Sequence, residues 1–595
     1  MSDHGYIKGG AFVLETISPN DVTIPEDMTD EHRMILQTAY EFAEKEILPN
    51  WERIEKKDGQ FVKDLMAQAG ELGLNGTDVP EAYGGLGLDK VSTALVVEAI
   101  GCTGSFATTH GAHTGIATLP LIFFGTEEQK KKYLPGLASG EYLGAYALTE
   151  PSAGSDAMGG CKTKAVLSAD GKHYLLNGQK IFITNAAWAR TFITYAKVDG
   201  EKFTAFIVER GFPGVSVGPE ESKLGIRGSS TCSLILEDAQ VPVENVLHEI
   251  GKGHHVAFNI LNVGRYKLGA ATVGGAKLSL KKSTEYAKVR EQFGAPICEF
   301  GAIKEKLANC AIKTYINESI VHRSAGLFES ILEPIPKDDP AYGSKAAEAI
   351  REYAIECSID KIYGSEAVAY CTDEGVQILG GYGYIDEYPA ERAYRDARIT
   401  RIYEGTNEIN RMIILAELMG RAMKGKLPLF EKSAQISGEI AGPATEPETI
   451  PEGPLGVQQH LVDNAKKIAI LVSAAAAQKF QLELTKEQEV VSRIGDMVTE
   501  IFAMESGLLR AQKVAQNKGE AAAQYHIAMV KAYVDDTMPK IECWAKGALT
   551  RIESGDALAT LLAAVRRFIR YQPIDAISLK RTIADRVVTL GGYPL

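Results

Sequence analysis

Apolar residues recur at helical spacing along the first part of the chain. Thr29 offers an N-cap, and Ile35, Thr38, Ala39, Phe42, Ala43 and Ile47 then share one face until Pro49 stops the pattern. Further helices are predicted from Phe61 to Leu72, Leu88 to Ile100, Gly111 to Phe124 and Glu127 to Ser139. From about 141 the pattern changes to short β-branched and aromatic runs. Val166, Tyr174, Ile181, Phe192, Ile193, Phe206, Val208, Leu234 and Ile235 are the expected strand positions, with Asp170-Gly171 and Asp199-Gly200 at the tips of two hairpins. Helical spacing returns from about Gly251 to Arg421, broken at Pro296 and around Pro334 to Pro340. The mixture of Ser, Gly, Pro and Glu from Glu431 to Leu455 predicts a mobile linker, and Val457 to Leu595 reads as several more helices rich in alanine and leucine. The expected architecture is α+β and multidomain. It has a helical domain over 1–140, a β-barrel or sandwich over 141–250, a four-helix bundle over 251–425, a linker over 426–456 and an additional helical domain over 457–595.

Composition narrows the function without naming it. A chain of 595 residues with 45% hydrophobic and 8% aromatic positions can build several ordinary cores. The formal charge of -13, with no lysine- or arginine-rich run, excludes nucleic acid as an expected partner, although a few local cations suffice for an anionic ligand. The eight cysteines show neither a C-x-x-C pair nor metal-ligand spacing, and His254-His255 has no third ligand in register, so reduced thiols and no metal are expected. There is no basic segment followed by an apolar leader, and the longest apolar runs, Ile468 to Ala477 and Ala557 to Val565, are too short to span a bilayer. These features predict a soluble, cytoplasmic protein.

Candidate chemistry concentrates in Arg401-Ile-Tyr-Glu-Gly-Thr-Asn-Glu-Ile-Asn410. Thr406 and Asn407 are N-cap residue types, and Ile409, Met412, Ile413, Ala416 and Met419 follow at helical spacing, so a helix should begin near 407. Its unpaired first N–H groups can take an anion. Gly405 permits a sharp turn that aims Glu404 into a cleft as a general base.

Five other blocks accompany this run in a fixed order: Tyr146-Ala-Leu-Thr-Glu-Pro-Ser-Ala-Gly-Ser-Asp156, Phe182-Ile-Thr-Asn185, Lys223 to Thr231, Arg290-Glu-Gln-Phe-Gly294 and Gln377-Ile-Leu-Gly-Gly-Tyr-Gly383, the last leading to Glu387, Arg392 and Asp396. Together they resemble the acyl-CoA dehydrogenase flavoenzymes from about Asp27 to Arg421, and the added helical tail resembles the very-long-chain branch. The resemblance implies FAD as cofactor and Glu404 as the base that removes the C2 proton of an acyl thioester. It places Tyr146, Ala147, Leu148, Thr149 and Ser155 beside the flavin, Phe182, Ile183 and Thr184 against its ring, and Arg290, Phe293, Gln377, Gly380 and Gly381 around the pyrophosphate and adenosine half. Thr406, Asn407 and Glu408 complete the cofactor set. Ser155, Asn262, Arg265 and Gly405 are the implied substrate contacts, although Arg265 in isolation reads as half of an intrahelical ion pair, and Arg392 with Asp396 likewise.

The small residues Gly111 and Ala112 stand where medium-chain relatives close the pocket base, which suggests a deep pocket for long chains. In the family the two parts of the cofactor site come from different subunits, so a homodimer is expected. The implied reaction makes trans-2-enoyl-CoA in the first step of fatty-acid β-oxidation and passes electrons to an electron-transferring flavoprotein. Two rivals stay open: an acyl-CoA oxidase, which lets oxygen reach the reduced ring, and a flavin-binding scaffold in which Glu404 is vestigial. The acidic linker, with Glu431, Glu439, Glu446, Glu448 and Glu452, disfavours anionic lipid, so peripheral membrane contact is open but not expected.

Overall fold

The computed structural model describes residues 6–441 and 450–595. The N-terminal region folds into α1 (Asp30–Phe42), α2 (Trp51–Glu55), α3 (Gly59–Glu71), α4 (Lys90–Gly101), α5 (Ser105–Gly111), α6 (Leu119–Phe124) and α7 (Glu127–Ala138). Thr29 caps α1 as its sequence position suggests, its hydroxyl accepting the His32 N–H at 3.2 Å. The helix expected over Gly111 to Phe124 is broken by a π-helical turn at Ala112–Ala117. There the Thr118 hydroxyl donates to the His113 carbonyl at 2.7 Å, and Pro120 has no N–H with which to continue a regular ladder.

The middle region is β, with strands β1 (Leu143–Ala147), β2 (Lys164–Leu167), β3 (His173–Thr184), β4 (Ala189–Val198), β5 (Lys202–Glu209), β6 (Val215–Val217), β7 (Thr231–Pro242) and β8 (Val246–Leu247). They join in one sheet ordered β6-β7-β3-β2-β4-β5-β8, with β1 added parallel on β4. Asp170-Gly171 and Asp199-Gly200 do turn antiparallel hairpins, β2–β3 and β4–β5. The register of β3 on β7 slips between Lys180 and Ile183, so Phe182 lies in a bulge.

Four long helices form the bundle: α8 (Gly253–Val289), α9 (Gly301–Leu332), α11 (Ala354–Leu379) and α13 (Asn407–Met423). The shorter α10 (Tyr342–Ile350) and α12 (Pro389–Ala397) lie between them in sequence. A small hairpin of β9 (Glu291–Gln292) and β10 (Ala295–Pro296) follows α8. The tail contains α15 (Gly456–Phe480), α16 (Gln488–Lys518), α17 (Glu520–Ile552), α18 (Gly555–Phe568) and α19 (Ala576–Leu590).

The linker reading is corrected in part: Leu429–Ala441 is a helix, α14. Its composition hides a period, because Leu429 and Ile436 are buried one above the other against the tail and Glu439 pairs with Lys467 at 2.9 Å. Glu446 and Glu448 lie outside the described residues. Tail and bundle share one apolar core that includes Leu307, Ile316, Ile359, Phe502, Leu508 and Met529. Among the described residues no helix is long and apolar enough to cross a membrane.

Candidate active site

Glu404 stands at φ 57°, followed by Gly405 at φ 80°, a left-handed pair of which only the second is cheap. The strain is held by donors from two helices. Asn410 Nδ2, one turn into α13, faces the carbonyl oxygens of Glu404, Gly405 and Thr406 at 3.4, 3.0 and 3.0 Å. Arg265 Nε on α8 donates to the Glu404 carbonyl at 3.1 Å, and its NH1 donates to Asn262 Oδ1 at 2.9 Å. Arg265 therefore serves a turn far away in sequence, not the intrahelical ion pair that its surroundings suggested. The Thr406 hydroxyl accepts the Ile409 N–H at 3.3 Å and caps α13.

The Glu404 carboxylate rests directly over Gly264 of α8, where an added Cβ would fall 2.7 Å from Oε2 and 2.8 Å from Cδ. Glu404 Oε2 is sealed from solvent and has no hydrogen-bond partner. Burial pushes its carboxyl up to about 7, against the opposing pull of the Arg265 and Lys361 charges. Lys361 of α11 is itself buried and desolvation draws it down to about 7. Its Nζ donates to Asn407 Oδ1 at 2.5 Å. Asn407 also exchanges hydrogen bonds with Ser365, so its amide is used inside the bundle.

A cavity of about 560 Å³ opens from Glu404. One face of α8 lines it without interruption through Gly264, Leu268, Ala271, Gly275, Leu278 and Lys282. Gly111 and Ala112 line it too, and a Cβ on Gly111 would meet only open space. Thr184 joins the same wall. Tyr146 is buried and lies within the field of Glu404. Ala147 and Ile183 are buried, Leu148 and Thr149 half-buried, and the side chains of Ser155 and Glu408 exposed.

Phe182 is 62% exposed and at φ 59°, an apolar ring pushed into the open by its bulge. The Ile181 N–H donates to the Thr149 carbonyl at 2.9 Å, which sets Phe182 beside the end of the Tyr146–Thr149 segment. That segment is anchored from beneath by a buried ion pair, Lys180 Nζ to Glu150 Oε1 at 2.7 Å. An open aromatic face next to backbone at a strand end suits a planar heteroaromatic ring.

Arg290, Gly380 and Gly381 meet in a second cleft of about 430 Å³ with Tyr286, Gln292 and Tyr382. The Arg290 guanidinium sits 6.0 Å from the Tyr382 ring centre, and added Cβ atoms on either glycine would meet nothing. Gln377 is exposed, and Phe293, at φ 53° on the β9–β10 turn, is 96% exposed. Arg265 and Arg290 lie roughly 37 Å apart along α8 at about 1.5 Å per residue. The structure thus gathers the base, Arg265, Asn262, Gly405 and Thr184 in one place and leaves the Arg290 group in another. The Arg392–Asp396 pair is also corrected: the Arg392 guanidinium stacks 4.0 Å from the Trp51 ring centre, Asp396 accepts the Ile226 N–H, and Arg395 takes the i, i−4 carboxylate of Glu391.

Gly264, Asn410, Lys361 and Lys180 escaped the sequence reading. Lys361 carried a signal, as the one cation of α11, set among Ile355, Ile359 and Ile362 on a helix whose other charges are all acidic. Among the described residues no group of three His, Cys, Asp or Glu side chains could hold a metal ion.

Models of the acyl-CoA dehydrogenase N-terminal, middle and C-terminal domains match residues 29–141, 145–239 and 251–419, and a further C-terminal domain model matches 464–567. The chain is 49% identical to a probable acyl-CoA dehydrogenase of Bacillus subtilis, covering 98% of each. It is 34% identical to the very long-chain specific acyl-CoA dehydrogenase of Macaca fascicularis mitochondria, covering 98% of this chain and 87% of that one. A crystal structure of an acyl-CoA dehydrogenase from Bacillus anthracis complexed with FAD superposes with TM-score 0.96 at 50% identity, over 99% of this chain and 100% of that one.

Proposed function

The chain belongs to the acyl-CoA dehydrogenase family, whose cofactor is FAD, and from that premise we propose that it oxidises long-chain acyl-CoA to trans-2-enoyl-CoA with Glu404 as the base. The observation that carries this reading is a carboxylate with no hydrogen-bond partner on Oε2, raised to about 7 and opened onto an apolar cavity. Glu404 takes the proton from C2, and its own backbone N–H, aimed by the same turn, meets the negative charge growing on the thioester oxygen. FAD, when bound, accepts the hydride that leaves C3. Phe182 and Thr184 present the surface that orients the ring, and Tyr146 to Thr149 its edge.

Long chains fit the cavity. The lining face of α8 from Gly264 to Lys282 runs roughly 27 Å at about 1.5 Å per residue, close to the ~30 Å of hydrocarbon that two acyl chains fill end to end in a bilayer. Electrons pass to an electron-transferring flavoprotein, in a cytoplasmic first step of fatty-acid β-oxidation. A homodimer is the reading supported by the apartness of Arg290, Gly380 and Gly381, which line a cleft of their own away from the base and would serve the cofactor of a second copy.

The test is anaerobic addition of palmitoyl-CoA to the yellow enzyme. Wild type bleaches, whereas Glu404→Gln retains FAD and stays yellow; bleaching of the variant at the wild-type rate would place the base elsewhere. Stoichiometric peroxide in air would instead favour the oxidase. Sedimentation as a monomer with FAD fully bound would overturn the shared site.

A further inference from the structure

The C-terminal helices touch the Glu404 turn through a continuous run of polar contacts. Asp496, in the third turn of α16, accepts from Arg411 Nε at 2.6 Å. Arg411, near the start of α13, extends NH2 to Glu366 Oε1 of α11 at 2.8 Å. The same Glu366 oxygen accepts from Asn407 Nδ2 at 3.0 Å, and Asn407 Oδ1 accepts from Lys361 Nζ at 2.5 Å. Gly495 allows the approach, since a Cβ there would stand 3.1 Å from the Arg411 carbonyl oxygen and 3.2 Å from its Cα.

We propose that Asp496 is a positioning residue for the base: the added helical domain fixes Lys361 beside Glu404 through Arg411, Glu366 and Asn407. The proposal rests on the reading of Glu404 as the base. Glu404 Oε2 has no hydrogen-bond partner, and Lys361 is a flexible ammonium with three donors. The Asn407 carbonyl holds that ammonium at its present position. Asn407 is in turn oriented by Glu366 and by Ser365, whose hydroxyl also donates to Asn407 Oδ1 at 3.3 Å. Arg411 is shared between Glu366 and Asp496. Without the Asp496 charge it draws Glu366 toward itself, Asn407 Nδ2 keeps only Ser365 as acceptor and the amide shifts toward it, and Lys361 is free to close on the carboxylate. A direct ion pair would quench the base.

The charges acting most strongly on each member come from the helices around it. Around Lys361 stand Glu404, Arg265, Glu408 and Glu366; around Asp496, Arg411, Glu366 and Glu500; around Glu404, Arg265 and Lys361. None of these reaches Lys361 from the tail except by way of Arg411.

The experiment uses the full-length FAD enzyme with palmitoyl-CoA. Asp496→Asn is expected to lower kcat by about 10-fold, the scale of a small misplacement of a reacting group, to leave KM within about 2-fold, and to move the acid limb of kcat/KM to lower pH. Asp496→Glu should restore both. Should Asp496→Asn fail to fold, Glu366→Gln at a half-exposed position probes the middle of the relay and should give the same pH shift. Asp496→Asn combined with Glu366→Gln should do no more than either alone. An unmoved acid limb in these variants, or an activity loss that follows only a fall in Tm and persists in Asp496→Glu, overturns the proposal. Failure here leaves the Glu404→Gln result standing, so the two readings fail separately.

Discussion

Glu150 is buried and Glu404 is half-buried with its Oε2 sealed from solvent, and each has a fully buried lysine nearby, Lys180 and Lys361. They titrate in opposite directions. Glu150 accepts Lys180 Nζ at 2.7 Å, the Thr163 N–H and hydroxyl at 3.0 and 2.6 Å, and the Lys162 N–H at 2.6 Å, and these donors hold it down at about 2. Glu404 has Lys361 turned away onto Asn407 and its Oε2 is left bare, so burial wins and lifts it to about 7. Saturation with donors makes a glutamate an anchor, and withholding them makes it a base. The anchor lies under the strand end that would carry the flavin, and the base lies across the bundle on a strained turn.

The contrast breaks most visibly under paired substitutions. Glu404→Gln should cut kcat by up to about 10⁴-fold, the upper range for a general base, while Tm stays level or rises because a buried charge is removed. Lys180→Met should do the reverse, costing about 3–5 kcal/mol by stranding a buried carboxylate, read as a fall in Tm. The sign with pH is fixed by the depressed value: unfolded glutamate titrates near 4.5 and Glu150 near 2, so the pair contributes fully above about 4.5 and fades as pH falls through about 2. The stability gap between wild type and Lys180→Met should therefore narrow in acid. A gap that is constant from pH 7 to 3 would mean that Lys180 acts through packing alone.

Much of the base side was readable in the chain. Thr406 announced the cap and Gly405 the turn, because both act on their immediate neighbours. The opposition between the glutamates was not, since it depends on which donors other elements bring. Lys180 is thirty positions from Glu150 by sequence number, and Lys361 is aimed by an asparagine on another helix. Arg265 misled for the same reason: its partner is a carbonyl of a distant turn, invisible to i, i+4 reasoning. Composition alone also concealed α14, whose polar surface masks the buried Leu429 and Ile436. Strain was equally hidden, since nothing in Phe182 or Glu404 as residue types asks for positive φ.

Gly264 sharpens the comparison at the level of space. No side chain occupies the ground beneath the Glu404 carboxylate, and Gly264→Ala would place a methyl about 2.7 Å from Oε2, so kcat should drop by roughly 10–100-fold through misplacement of the base. FAD content and Tm should hold, because alanine favours a helix interior. Equal losses in FAD content would assign Gly264 to cofactor packing instead.

The smallest effect separates field from contact. With Glu404 near 7, kcat/KM should climb as pH rises through about 7 and then level, since only the ionised carboxylate removes a proton. Lys361, while it is protonated, helps that ionisation as a nearby positive charge. Lys361→Met removes the charge, so the acid limb should move to higher pH by about one unit. Releasing Lys361 by Asp496→Asn brings the charge closer, so the limb should move to lower pH. Opposite displacements from two substitutions of one relay would arise from an electrostatic role and not from general loosening of the bundle, which has no reason to choose a sign. Displacements in the same direction would mean that Lys361 is held in place by burial alone, and that the bare state of Glu404 owes nothing to Asn407.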